Sequence, residues 1–286
     1  MTSMTFPGPA VDTDEALAEA ALRVREHVVR MCAGPEGGHL GGSMSLVEVL
    51  LTLYRRVLRG DPARPDAAER DVLLLSKGHA AIALYAVLAE RGYFPVRRLD
   101  EYCLPGSSLM AHPTTAVPGV EMPSGALGHG LPLGLGYALA ARLDGSDRRC
   151  FVVLGDGELQ EGSVWEAAMA AGAAGVDSLT AVVDRNGLQI TGPTEAVTGL
   201  EPLAAKWRAF GWSVVEVDGH DPAALTAALR APSERGRPTA VIAKTVKGKG
   251  LPHVEGQVRS HYARLGERQR DRALAVLRAR AGTAAG

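Results

Sequence analysis

The chain is poor in aromatic residues and cysteines, carries almost no net charge, and has no long uninterrupted hydrophobic run. Aromatic residues make up 5% of its 286 residues, and its formal net charge is −1. This charge balance gives no electrostatic reason to expect a nucleic-acid partner or an anionic membrane surface. No sustained apolar run reaches the length of a membrane span, and residues 1–12 lack the basic start and apolar run of a signal peptide. We therefore expect a cytoplasmic protein without nucleic-acid or membrane partners.

The three cysteines, Cys32, Cys103 and Cys150, form no Cys-x-x-Cys pair. Neither a disulfide framework nor a cysteine zinc site is predicted. Glycine, by contrast, is abundant at 34 residues, which predicts many turns and close contacts between elements. A chain of this length can bury one large α/β core or two small ones, and length alone leaves both open.

Short apolar runs alternate with helical patterns along the chain. Strands are predicted at residues 72–75, 151–154, 179–183, 212–217 and 239–244, and those at 72–75 and 151–154 are expected to be buried. The first predicted helix is capped by residues 12–14 and ends at Gly34, and later helices are predicted at 80–90, 125–142, 159–174, 203–210, 222–230 and 267–280. This order predicts an α/β fold with a doubly wound, mostly parallel sheet and helices on both faces. Residues 1–12 are expected to be flexible.

Two of the predicted strands end in turns rich in oxygen ligands. Asp156 lies between Gly155 and Gly157 after one strand, and Asn186 follows the next strand. The carboxyl ends of parallel strands line the crevice where open α/β sheets bind ligands, and both glycines would let the backbone approach a phosphate closely. Mg²⁺ would relieve the repulsion between Asp156 and a phosphate by binding a carboxylate, an amide oxygen and a carbonyl. Each turn alone is also an ordinary connection, and the spacing does not name a cofactor.

Two histidines stand where strands or loops lead into helices. His39 lies between glycines, before a helix that a capping box of Ser45 and Glu48 is predicted to open and that continues to about Val57. His79 follows the strand at 72–75. Taken alone, His39 fits an incidental loop residue, and His79 fits a helix cap as well as a ligand contact. Residues 92–124 contain five prolines, and an irregular segment of this length favours a functional loop.

Taken together, these motifs resemble those of transketolases. Residues 155–167, with Asn186 placed 30 residues after Asp156, resemble the thiamine diphosphate motif of that family. Further blocks match in family order at residues 38–43, 76–80, 118–121, 125–130 and 244–250. The resemblance covers roughly residues 15–265 and implies the N-terminal, diphosphate-binding part of a transketolase, in the form found as a separate subunit of split transketolases. It also implies the fold of the family's diphosphate-binding (PP) domain.

The resemblance implies that thiamine diphosphate is held through Mg²⁺ or Ca²⁺. The implied metal ligands are Asp156, Asn186 and the main-chain oxygen of Leu188. Leu127 and Ile190 would form apolar walls around the thiazolium ring. Further implied cofactor contacts are Gly125, Gly155, Gly157, Glu158, Lys244, His79 and His261. Residues 247–250, taken alone, are more often a solvated basic turn than a flexible anion-binding loop, but the resemblance favours a loop near the active site.

The implied reaction transfers a two-carbon ketol unit from a ketose donor to an aldehyde acceptor, and its chemistry belongs to the cofactor. The implied catalytic residues are His39, His79, His112, His261 and Glu161. The histidines suit hydrogen bonding to the donor hydroxyls and the developing alkoxide. For Glu161, a place at the subunit interface and a favourable charge at a helix N-terminus fit equally well. His253 competes with His261, and His129 stands where many full-length transketolases have glutamine.

We expect residues 13–286 to form a single diphosphate-binding domain, with the pyrimidine domain of the family carried by another chain. The expected partner is a C-terminal transketolase subunit, in an α₂β₂ heterotetramer, and the chain alone is expected to be inactive. Two other interpretations stay open. One is the α subunit of a 2-oxo-acid dehydrogenase, which transfers acyl groups to lipoamide, and the other is a non-catalytic cofactor-binding subunit.

Overall fold

The computed structural model describes the backbone of residues 12–284 and the side chains of residues 12–281. Its helices are α1 (Asp14–Cys32), α2 (Leu40–Met44), α3 (Val47–Thr52), α4 (Ala81–Arg91), α5 (Gly130–Leu143), α6 (Gly162–Ala174), α7 (Thr194–Val197), α8 (Leu203–Ala209), α9 (Pro222–Arg230) and α10 (Glu267–Ala284). Its strands are β1 (Val72–Leu75), β2 (Cys150–Gly155), β3 (Leu179–Arg185), β4 (Leu188–Gln189), β5 (Gly192–Pro193), β6 (Ser213–Asp218) and β7 (Thr239–Lys244).

Five strands form one parallel sheet in the order β1-β2-β3-β7-β6. Leu75 is in register with Val153, and Gly155 is in register with Asp184. The carboxyl ends of neighbouring strands therefore lie at one edge of the sheet. The short strands β4 and β5 form a separate antiparallel ribbon just after β3. This topology confirms the predicted doubly wound α/β fold.

Alternate residues of the strands belong to two hydrophobic cores. Leu73 and Leu75 join a core with α1, α3, α4, α9 and α10, whereas Val72 and Leu74 join a second core with α5, α6 and α8. A strand buried on both faces has no polar alternation, which explains the uninterrupted apolar runs in the sequence. The predicted helices on both faces of the sheet are thereby confirmed.

The predicted capping box before α3 is wrong. The hydroxyl of Ser45 donates to the carboxylate of Asp184 at 2.7 Å and to the Gly42 carbonyl at 3.1 Å. The Glu48 carboxylate pairs with Arg25 at 2.7 Å. Both side chains therefore bind residues distant in the sequence instead of capping α3. The predicted single helix is divided into α3 and a π-helical turn at Leu53–Val57.

The glycine-rich helix begins at Gly130, five residues later than predicted. Gly128 has φ +81°, a left-handed conformation that favours glycine and is not part of a right-handed helix. The helix can therefore begin only after this residue. Gly134 packs directly on the sheet, since a Cβ there would lie 2.4 Å from Cγ2 of Val152. Helix α6 also starts late, because Gly157–Gln160 form a 3₁₀ turn. These short connections lie at the carboxyl edge of β2.

The predictions for the first residues of the chain can be tested only from Asp12 onward. The expected flexible residues 1–11 lie outside the described part of the chain, but Asp12 is anchored, because its carboxylate accepts a hydrogen bond from Arg55 at 2.6 Å. Thr13 caps α1 by accepting from the Ala16 amide at 3.2 Å.

Within residues 12–284, no helix is both long enough and apolar enough to span a bilayer.

Candidate active site

A cleft of ≈ 230 Å³ opens at the carboxyl edge of the sheet. Its walls come from the connections that follow β1, β2, β3 and β7, together with the start of α2. The predicted cofactor and metal residues that line it are His79, Leu127, Gly155, Asp156, Gly157, Glu158, Asn186, Leu188, Ile190 and His261, and the predicted interface residue Glu161 borders it as well. The parallel register of the strands explains why residues so distant in sequence meet here.

Asp156 is the buried carboxylate among the predicted metal ligands. It is 2% exposed and accepts hydrogen bonds from the amides of Gly157 and Gly187 and from Arg185. Burial raises the pKa of Asp156, and the neighbouring charge of Asp184 raises it further. A carboxylate in this setting gains from a nearby cation, which would restore its charged form.

The other two predicted metal ligands are held beside Asp156 by β3 and β4. The Asn186 side chain donates to Asp184 at 3.0 Å, and its oxygen accepts from the Leu188 amide at 3.1 Å. No group of three His, Cys, Asp or Glu that could hold a metal occurs within residues 12–284. One carboxylate, one amide oxygen and one carbonyl are hard donors that suit Mg²⁺ or Ca²⁺ when phosphate oxygens complete the shell. The donor set therefore fits a metal that arrives with a diphosphate.

Lys77 and Lys247 place two ammonium groups in the cleft beside the predicted metal ligands. The Lys77 ammonium donates to Asp184 and, at 3.1 Å, to the Gly42 carbonyl. Lys247 is 3% exposed, and its ammonium lies 3.1 Å from the Leu188 carbonyl and 3.1 Å from Nδ1 of His261. Burial lowers the pKa of Lys247 to about 8, and Lys77 contributes to this shift. Asp184 neutralises Lys77, so the buried ammonium of Lys247 is the group that suits a bound anion.

The four predicted catalytic histidines meet beside this cleft. The ring of His39 lies 5.5 Å from that of His79, 5.7 Å from that of His112 and 5.5 Å from that of His261. His112 is held in the irregular segment because the Tyr85 hydroxyl donates to its carbonyl at 3.2 Å. We call these four residues the histidine cluster. Its members come from four separate parts of the chain, so only the fold brings them together.

Three members of the histidine cluster are held neutral. Burial lowers the pKa of His39 to about 4, with the nearby His112 and Lys247 adding to the effect. Burial also lowers the pKa of His261 to about 4, and Lys247 adds to it. Burial lowers the pKa of His79 well below its usual value. Neutral imidazoles can both donate and accept hydrogen bonds, which suits recognition of hydroxyl groups.

The structure separates the two histidines that competed in the sequence. His261 belongs to the histidine cluster, whereas His253 lies exposed in a loop. His129 is exposed, and its Nδ1 lies 3.0 Å from the Leu127 carbonyl. Gly125 does not line the cleft but lies against His112, whose Cδ2 would be 3.4 Å from an added Cβ. Gly125 thus borders the histidine cluster.

The prediction for Lys244 requires a correction. Its side chain is 66% exposed and pairs with Glu216 at 3.1 Å, so it does not enter the cleft. Lys244 is the last residue of β7 and its side chain points away from the sheet edge, whereas Lys247, three residues later, turns inward. The sequence predicted a loop near the active site at residues 247–250 through the family resemblance, but it did not single out Lys247. Lys77 and Asp184 were likewise missed, although Lys77 lies two residues after β1 and Asp184 is the last but one residue of β3.

Glu158 and Glu161 have different environments. The Glu158 carboxylate is buried and accepts hydrogen bonds from Ser76, from the Gly128 amide at 2.9 Å and from the Gly155 amide at 3.0 Å. Its oxygens thus hold the connections of the cleft together. Glu161 is exposed at the N-cap position of α6 and makes no side-chain capping bond. It is available to a partner and still favourable to the helix dipole.

The matching family model and two relatives of this chain all carry the name transketolase. Residues 17–283 match the family described as transketolase, thiamine diphosphate binding domain. The chain is 44% identical over 242 residues to a 6-deoxy-6-sulfo-D-fructose transketolase subunit of Clostridium sp. (strain MSTE9), covering 84% of this chain and 88% of the relative. It is 43% identical to an apulose-4-phosphate transketolase subunit of Actinobacillus succinogenes, covering 87% of this chain and 91% of the relative.

The fold agrees with solved transketolase structures. The crystal structure of transketolase from Campylobacter jejuni superposes with a TM-score of 0.86 at 29% identity and covers 95% of this chain but 43% of that longer one. A human relative, transketolase-like protein 2, is 37% identical over 86% of this chain and 40% of its own length. The chain belongs to the transketolase family, as an N-terminal subunit with the thiamine diphosphate-binding domain of that family.

Proposed function

We propose that this chain is the diphosphate-binding subunit of a two-chain transketolase that depends on thiamine diphosphate and a divalent metal. The complete enzyme would transfer a two-carbon ketol unit from a ketose donor to an aldehyde acceptor. The observation that carries this proposal is the position of the histidine cluster, which adjoins the oxygen ligands of the cleft. His79 and His261 belong to the histidine cluster and also line the cleft, and their ring centroids are 5.3 Å apart.

The residues of the cleft have distinct proposed roles. Asp156, Asn186 and the Leu188 carbonyl would hold the metal, and Lys247, whose ammonium lies 3.1 Å from that carbonyl, would neutralise diphosphate charge. Leu127 and Ile190 would form apolar walls. The bound cofactor supplies a thiazolium carbanion that makes and breaks the carbon–carbon bond.

The histidine cluster would act on the sugar. Because His39, His79 and His261 are held neutral, each can donate a hydrogen bond to a substrate oxygen and accept one from a hydroxyl group. Donation to the substrate oxygen that gains negative charge stabilises the transition state. The low pKa values also make their protonated forms strong acids, so a proton taken up during the reaction is readily returned.

A second chain is proposed because the relatives are themselves named as subunits. The sulfofructose and apulose phosphate relatives carry that word in their names, and their lengths are similar to that of this chain. The C. jejuni transketolase has more than half of its length outside the matched region. We propose that a C-terminal subunit with the pyrimidine domain supplies the counterpart of that region, in an α₂β₂ assembly with residues 13–286 as one domain.

The test is to isolate the tagged chain gently from its own cells, with thiamine diphosphate and Mg²⁺ present, and to identify co-purifying chains by intact mass. The isolated pair is then assayed with hydroxypyruvate as donor and an aldehyde acceptor. We expect ketol transfer by the pair and none by this chain alone. Transfer of an acyl group from pyruvate to a lipoyl acceptor would instead support a 2-oxo-acid dehydrogenase. Catalysis by the pure chain without a partner would contradict the two-chain proposal.

A further inference from the structure

His220 lies in the turn between β6 and α9, outside the histidine cluster. Its main-chain amide donates to the Asp218 carboxylate at 2.8 Å, which fixes the turn. Its side chain is 9% exposed and points toward α3 and the connection that follows β7. Neither the sequence motifs nor the proposed reaction gives this residue a role.

Both ring nitrogens of His220 have a partner that determines the proton position. The Val246 amide donates to Nε2 at 2.9 Å, and Nδ1 lies 2.9 Å from a carboxylate oxygen of Glu48. A backbone amide can only donate, so Nε2 must be unprotonated. Burial opposes ionisation of Glu48, but Arg25 and His220 together lower its pKa to about 2. The ionised carboxylate can only accept, so Nδ1 carries the proton and the ring is a neutral Nδ1–H tautomer.

The same buried network contacts the β7 connection at a second point. Arg25 binds Glu48 with two nitrogens, at 2.7 and 2.9 Å, and its Nε donates to the Lys249 carbonyl at 3.1 Å. The amide of Val246 and the carbonyl of Lys249 are therefore both held by one charged cluster. Lys247, whose ammonium lies in the cleft, is located between them.

We propose that His220 is a positioning residue for the cofactor cleft: by accepting the Val246 amide it holds the backbone from which Lys247 reaches the diphosphate. This rests on the proposed function, because the diphosphate is the expected anion at Lys247. His220 acts at a distance and contacts no substrate. Loss of the acceptor at Nε2 should loosen residues 245–250 and displace Lys247, while leaving Asp156, Asn186 and Leu188 in place.

Two substitutions at one position separate this role from general packing. His220→Asn places its amide near the position of Nδ1 and can still contact Glu48, but it cannot reach Val246. His220→Gln places its side-chain oxygen near the position of Nε2 and can accept from Val246. In the full-length chain, we expect hydrogen exchange of the Val246 amide to rise about tenfold or more in His220→Asn and to return close to the wild-type rate in His220→Gln.

The effect on the cleft is measured by calorimetric titration with thiamine diphosphate and Mg²⁺. We expect affinity to fall about tenfold in His220→Asn and less than about twofold in His220→Gln, as is typical of residues that orient a ligand-binding group. If His220 acts through Lys247, adding His220→Asn to a Lys247→Met variant should weaken binding by less than about twofold. Independent, multiplying losses in the double variant would overturn the proposal.

A measurement on the wild-type chain avoids any folding defect of the variants. Nitrogen-15 spectra of labelled histidines should show His220 with a protonated Nδ1 and an unprotonated Nε2. The opposite tautomer would overturn the proposal, as would unchanged Val246 exchange in His220→Asn. If neither wild type nor variants bind thiamine diphosphate, the proposed function fails, whereas the exchange and tautomer results still decide whether His220 holds residues 245–250.

Discussion

The ammonium of Lys77 and the carboxylate of Asp184 form an ion pair in which both side chains are at most 1% exposed. Lys77 follows β1 and Asp184 lies near the end of β3, so the pair ties two connections of the cleft together. Burial opposes ionisation of Asp184, but Lys77 and hydrogen bonds from Thr245 and Ser45 leave its pKa below the ordinary value. The carboxylate is therefore charged at neutral pH and fully occupied by internal partners.

Removing one partner of this ion pair should strongly destabilise the fold. Lys77→Met leaves the buried Asp184 charge uncompensated, and we expect the free energy of unfolding to fall by about 3–5 kcal/mol. Urea unfolding of the full-length chain measures this loss. The matched control is Arg237→Ala, which breaks an ion pair with Glu234 whose side chains are 54% and 58% exposed. That control should cost less than about 1 kcal/mol, and an equal cost for both variants would contradict the prediction.

Asp156 should be required for metal-dependent cofactor binding. Asp156→Asn removes the anionic ligand, and we expect the affinity for thiamine diphosphate with Mg²⁺ to fall by about 10–100-fold in calorimetric titration. Removing the metal with EDTA should weaken binding to the wild type and change binding to Asp156→Asn much less. The matched control, Asp147→Asn, makes the same chemical change at a side chain that is 81% exposed. Wild-type affinity in Asp156→Asn would rule out the metal role.

Acid should destabilise the chain through the histidine cluster. The folded-state pKa values of His39 and His261 are about 4, against 6.5 for the exposed residue. Between these values the unfolded chain binds more protons than the folded chain, so stability rises with pH. Their contribution is present above about pH 6.5 and is lost as the pH falls toward about 4.

Urea unfolding across this pH window tests the effect. The double variant His39→Asn, His261→Asn should show a shallower loss of unfolding free energy than the wild type, because two of the proton-linked groups are gone. Proton NMR should also show that neither ring titrates above about pH 5. Ordinary titration of both rings near neutral pH would contradict the prediction.

Cofactor affinity should fall at alkaline pH because of Lys247. The pKa of this group is about 8, so the free protein loses the ammonium charge as the pH rises through that value. We expect the affinity for thiamine diphosphate to decline between about pH 7.5 and about pH 9.5. Lys247→Met should bind more weakly at neutral pH and show little further decline. The same decline in Lys247→Met would assign the effect to another group.

The main elements of the fold followed from local patterns. The apolar runs predicted β1, β2, β3 and β7, because strands buried on both faces show no polar alternation, and β6 was predicted although it is partly exposed. The helix at Pro222–Arg230 and the strand at Thr239–Lys244 agree with the prediction to the residue. Predictions were wrong where a side chain binds a residue distant in the sequence instead of the nearby backbone. Ser45 and Glu48 match a capping box in sequence but bind Asp184 and Arg25 in the fold.

The candidate site was predicted in part. Residues close to strand ends, such as Asp156 and Asn186, could be placed because the end of a parallel strand determines the edge of the sheet that they occupy. On the connection after β7, the sequence did not identify which lysine enters the cleft. Lys244 was chosen by its motif, but Lys247 enters the cleft, because the backbone turns between them at the end of β7.

The sequence by itself determined the order of strands and helices along the chain, the family and the oxygen-rich turns. These features depend on residue type and short-range spacing. Only the tertiary structure decided that His261 and not His253 joins His39, that Lys77 pairs with Asp184, and that His220 holds Val246. Each of these contacts joins residues far apart in the chain. Their distances depend on how the helices pack on the two faces of the sheet, which no local pattern records.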